Sequence, residues 1–167
     1  MFIVKKKEEI IKKRKEIINF IKGQFYNEIY SILIFGFQSG NLIIGKQYLW
    51  DMIEEASNLK IESACDFGGI YLPFCVEKIN KITIKKLNEN IKETKFKNFL
   101  FQSLIDKSLG DYIESIFNLN PFIRERYPKK SIVFEKLNLK KMCKMLNLLS
   151  KLDFPFKLEN LIRDGLI

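Results

Sequence analysis

Between Lys5 and Phe37 the apolar residues Ile10, Ile17, Ile18, Ile21, Phe25, Ile29, Ile32, Leu33 and Phe37 recur at three- and four-residue steps, with Lys, Arg and Glu between them. That spacing lines one face of an α-helix and predicts one long helix or two nearly collinear ones, with Gly23 as the candidate interruption. Ser39-Gly40-Asn41 and Gly45 then break the period with residues that tolerate positive φ. Leu49, Met52, Ile53 and Ala56 restart a helical face that carries the only tryptophan, Trp50.

Residues 60–73 show no clean period and contain Gly68, Gly69 and Pro73, which predicts a loop with one short helix before a segment from Phe74 to Ile82. Phe96, Phe99, Leu100, Ser103 and Leu104 then give an amphipathic helical stripe, and Leu109, Tyr112, Ile113, Ile116 and Phe117 give another. Ser108 and Asp111, three apart, read as the start signal of the second, the Ser hydroxyl accepting an early amide hydrogen bond. Asn120-Pro121 is a further start, with Asn as cap and Pro at the first helical position. The final pattern, Leu139, Met142, Leu146, Leu149 and Leu152, stops before Pro155, which biases Phe154 away from helix. Trp50, Phe99, Tyr112 and Leu149 fall on apolar faces of four different predicted helices and are expected to meet in one core.

Composition agrees. The 167 residues suit one domain, and with only 8 Gly and 4 Pro but 15 Phe the chain is poor in turn formers and rich in core formers. The expectation is an all-α, single compact bundle. A basic amphipathic helix over residues 1–24 joins it, and 25–167 form the domain proper. Cys65, Cys75 and Cys143 are odd in number and widely spaced, so they read as reduced core thiols. No apolar window is long enough to span a bilayer and the start lacks a signal-peptide core, so a cytoplasmic protein is expected, with the cytosolic face of membranes as a further location.

Candidate chemistry is sparse. Gly40-x-x-x-x-Gly45-Lys46 approaches a phosphate-binding loop, but Gln47 stands where a Ser or Thr would hold Mg²⁺, and Leu42-Ile43-Ile44 is too apolar for a phosphate cradle. The chain has no histidine, which removes the usual general base and the commonest metal ligand. Glu8-Glu9 and Glu54-Glu55 are adjacent on helical segments and diverge, as a solvated face does. No catalytic residue, metal, cofactor or small-molecule substrate is assigned. The net charge of +9 favours acidic partners. Eight basic and three acidic residues lie between Met1 and Lys22, a pattern open to two readings: a helix docking on anionic lipid, or isoleucines packed on the domain beneath a wet lysine face. Nucleic-acid binding has charge in its favour but no module pattern.

Three blocks in order resemble one family. They are Ile34-Phe35-Gly36-Phe37 followed by Tyr48-Leu49-Trp50-Asp51-Met52-Ile53-Glu54; Lys97-Asn98-Phe99-Leu100-Phe101-Gln102-Ser103-Leu104 running into Ser108-Leu109-Gly110-Asp111-Tyr112-Ile113; and Leu146 to Leu158 through Leu152-Asp153-Phe154. Their order and spacing over residues 25–160 resemble the RUN domain. The resemblance implies about eight helices and a non-catalytic adaptor role, as an effector of Rab, Rap or Arf-like GTPases in membrane traffic or cytoskeletal linkage. In the family's two basic segments this chain has Phe35, Gln38, Phe99 and Phe101 where His, Lys, Trp and Arg are usual; Lys97 keeps its charge.

The expected partner-binding residues are therefore Lys92, Lys95, Lys97 and Gln38, with Arg124 and Arg126 as further candidates beside Tyr127. Lys95 and Lys97 interrupt the apolar stripe of their helix, so they are expected to project toward solvent.

Overall fold

The computed structural model describes residues 2–35, 37, 48–59, 67–83, 91–127, 135–154 and 156–166. Helix α1 (Phe2–Phe20) runs through a π turn (Ile21–Phe25) into α2 (Tyr26–Ile34) without a break. The turn has a consequence for packing. Ile18, Ile21, Tyr26, Ile29 and Leu33 are the buried positions, and the step from Ile21 to Tyr26 is five residues where the α period would place Phe25. A single π turn inserts that extra residue and puts Tyr26 on the core side. Gly23 sits inside the turn without ending the helix, and a Cβ there would meet nothing within 4 Å.

The N-terminal isoleucines depart from the packed reading. Ile10 and Ile17 are 50% and 40% exposed, and among the described side chains burial begins at Ile18. The helix N-terminal to it meets the body through the Arg14 guanidinium, 5.2 Å over the Phe156 ring. Lys22 Nζ also donates to the Leu166 carbonyl oxygen at 2.7 Å.

The remaining elements are α3 (Leu49–Asn58), α4 (Phe67–Thr83), α5 (Ile91–Ile105), α6 (Leu109–Phe117), α7 (Asn120–Arg126), α8 (Lys136–Leu148), a 3-10 turn (Leu149–Lys151) and α9 (Leu158–Arg163). With α1 and α2 as one rod, the described residues form the expected all-α bundle of about eight helices. Helix α5 lies at its centre, touched by α3, α4, α6 and α9, while α8 packs on α6. The central position explains why the five-residue stripe understates α5: Phe96 and every residue from Asn98 to Leu104 are buried. Trp50, Phe99 and Tyr112 are buried together as expected, with Leu149 packed partly exposed against them. The Phe99 ring lies 6.4 Å from Phe96 and 6.1 Å from Tyr112. Each such side chain contributes roughly 1.5–3 kcal/mol on burial.

Three local readings are corrected. Helix α4 starts at Phe67 and continues through Gly69 and Pro73, because Leu72, Cys75, Val76 and Ile79 all bury on the core side. Pro73 itself is exposed, and the carbonyl its ring crowds belongs to Gly69. Tertiary burial outweighs the breaker signal. At the α5–α6 junction Ser108 does stand before the first residue of α6, but its hydroxyl donates backward to the Asp106 carbonyl oxygen at 2.9 Å. Asp111 is taken by Asn147 Nδ2 at 2.7 Å. The turn is instead closed by a Schellman pair, Ser108 N–H to Ser103 O at 2.9 Å and Lys107 N–H to Leu104 O at 3.1 Å, with Lys107 at φ 58° in the place glycine usually takes. Helix α7 begins one residue earlier than expected, at Asn120, with Leu119 before it.

Helices α6 and α8 approach closely at Gly110. A Cβ there would collide with the Cys143 carbonyl oxygen and the Asn147 side chain. Cys75 and Cys143 are free, buried thiols, and burial pushes Cys143 up to about 12, which leaves it an unreactive thiol. Cys65 and the Gly40 to Lys46 segment lie outside the described residues.

Candidate interaction face

The first half of α5 passes between α2 and α3, and its three lysines each settle on an aromatic ring from those neighbours. Lys92 Nζ stands 4.9 Å from the Tyr48 ring centroid and 2.8 Å from Asp51 Oδ2. Lys95 Nζ lies 5.6 Å over Trp50. Lys97 Nζ lies 4.8 Å over Tyr26 and 2.8 Å from Glu93 Oε1. All three are half-buried, Lys95 and Lys97 where projection into solvent was expected, because a lysine stem lies along apolar surface while its ammonium sits over the negative face of a ring.

The three cations differ in what neutralises them. Asp51 also accepts the Tyr48 backbone N–H at 3.2 Å, so the carboxylate that caps α3 is the one that holds Lys92. Glu93 balances Lys97, one turn along the same helix. Burial lifts the Tyr26 phenol, and the charge of Glu93 adds to the effect. Lys95, among the described residues, has no carboxylate within ion-pair distance, and its ammonium lies over Trp50 alone of the rings in this row. The aromatic partners Tyr26, Tyr48 and Trp50, and the carboxylates Asp51 and Glu93, were not foreseen as part of this face. Only the three-residue spacing of Tyr48 and Asp51 carried a signal.

The other expected residues separate from this row. Gln38 lies outside the described residues. Arg124 is exposed on α7. Arg126 is turned inward with its side chain 11% exposed, ion-paired with Glu55 and 3.5 Å from Glu125. It therefore ties α7 to the end of α3 remote from Lys92. Tyr127 is buried, its hydroxyl donating to the Leu33 carbonyl oxygen. Among the described residues no group of three or more His, Cys, Asp or Glu could hold a metal ion, and no helix is long and apolar enough to cross a membrane.

The row thus sets three half-buried ammonium groups over three aromatic rings, of which Trp50 and Tyr26 are themselves buried in the core. The RUN domain family model matches residues 24–160, from the end of the π turn into the first turn of α9. No curated protein matched the chain. The order of helices and the extent of that match make this chain a member of the RUN domain family, whose modules serve as non-catalytic protein-interaction domains commonly linked to small GTPases.

Proposed function

We propose that the chain binds a small GTPase through the α5 face, with Lys95 as the central cation and Lys92 and Lys97 at its sides. The observation that carries this reading is the state of Lys95, charged, ring-supported and without a carboxylate among the described residues. An acidic patch on a partner would supply the missing counter-charge, and long-range attraction from a chain of net charge +9 would speed encounter. The test is capture of purified Rab, Rap and Arf-like GTPases, each loaded with GDP or with a non-hydrolysable GTP analogue. Retention of at least one GTP-loaded protein over its GDP form supports the reading; no retention across the panel contradicts it.

A second reading rests on α1. Ile10, Ile11, Ile17 and Phe20 stay exposed on a helix that also carries Lys12, Lys13 and Lys15. That combination suits the surface of an anionic membrane. Flotation with anionic but not zwitterionic vesicles supports this docking mode, and absence from both contradicts it.

A further inference from the structure

Away from the α5 lysines, α4, the end of α5 and the start of α6 enclose a cavity of about 360 Å³. Tyr71, Phe74, Lys78, Gln102, Asp106 and Tyr112 line it. Three features give it a chemical direction. Gln102 is buried, and its Nε2 donates to Asp106 Oδ1 at 2.6 Å. That bond fixes which end of the amide is the oxygen, and Gln102 Oε1 is then left buried with no hydrogen-bond partner among the described residues. Such an acceptor is uncommon in a folded chain and calls for a donor.

Asp106 also accepts the Tyr112 hydroxyl at 3.4 Å, and its carboxylate has capacity for further donors. The nearby Lys78 does not cancel it, since its ammonium is 3.1 Å from Glu159 Oε1. These three charges sum to one negative. Finally, Tyr71 and Phe74 stand exposed side by side on α4, ring centroids 6.4 Å apart.

We infer that this cavity is a docking site for an arginine side chain of a partner protein. A guanidinium offers planar donors for Asp106 and Gln102 Oε1 while its face stacks on an exposed ring, a combination that an ammonium lacks. An anion would meet Asp106, and an apolar group would bury both acceptors without relief. The site lies on a different surface from the proposed GTPase face and stands or falls independently of it.

The test titrates the full chain, labelled with ¹⁵N, with N-methylguanidinium chloride, with sodium chloride at matched concentration, and with a capped Gly-Arg-Gly peptide. The expected result is a saturable shift of the Gln102 side-chain amide by the guanidinium and by the peptide, and none by sodium chloride. Asp106→Asn should weaken both affinities by more than about tenfold, the loss expected for a charge-assisted bond. Phe74→Ala removes a ring that is 64% exposed and so spares the core; it should weaken binding about two- to fivefold. Absence of a saturable shift, or affinities unchanged in both variants, overturns the site. Binding of N-methylguanidinium without the peptide overturns the assignment to a protein side chain.

Discussion

The Tyr127 hydroxyl donates to the Leu33 carbonyl oxygen at 2.6 Å across 94 residues of sequence, joining the end of α7 to the end of α2. Leu33 lies in the last turn of its helix, where carbonyls have no partner within the helix. Tyr127 is buried, packed 5.7 Å from the Phe117 ring and 5.3 Å from Phe37. Tyr127→Phe keeps the ring and strands the carbonyl, so it should cost about 1–3 kcal/mol in urea unfolding. An unchanged midpoint would mean that water takes over the acceptor.

Gly110 makes a sharper demand. With the Cys143 carbonyl oxygen in the path of a new Cβ, Gly110→Ala must push α8 away from α6, although alanine is the better helix former. The strain should outweigh the propensity gain and destabilise the fold by about 1–3 kcal/mol. A rise in melting temperature would show that the two helices can separate freely.

The pH dependence has two opposed contributions. Glu159 is held below the ordinary carboxylate range by its backbone N–H at the start of α9 and then by Lys78. A depressed folded pKa adds stability above the unfolded value, and that stability disappears as pH falls through the folded value. Asp106 is raised, chiefly by burial, so its ionisation works against the fold and its contribution shrinks as pH rises. Glu159→Gln should therefore flatten part of the stability loss on acidification between about pH 5 and 3, and Asp106→Asn should remove part of the loss on going from acid to neutral pH. Stability followed by urea unfolding across that range checks both; unchanged pH profiles in the two variants would contradict these assignments.

Helical periodicity was a reliable guide wherever one face of a helix meets the core and the other meets water, as in α6. It understated α5, because a helix surrounded by neighbours buries its polar residues as well, and Asn98 and Gln102 look like surface in a one-dimensional pattern. It also passed over the π turn, since Phe25 and Tyr26 are both apolar aromatics and either completes the stripe. Pro73 misled in the opposite sense. At the α5 face the charges of Lys92, Lys95 and Lys97 were legible, whereas Asp51, Glu93 and the rings beneath the ammonium groups depend on how α2, α3 and α5 meet. The order of blocks from Ile34 to Leu158 carried the family, and Arg126 showed that a basic residue at a helix end can be an internal tie.

The most direct test of the α5 face is the affinity of a GTP-loaded partner for the wild-type chain and for Lys95→Glu, measured by calorimetry at low and at high salt, with circular dichroism of both proteins as the folding control. Lys97→Glu is a poorer choice, because it would set a new carboxylate beside Glu93. The account predicts that Lys95→Glu keeps the wild-type helical spectrum, binds at least about tenfold more weakly, and loses much of the salt dependence. Equal affinity and equal salt response in the two proteins would contradict it and place the partner on another surface.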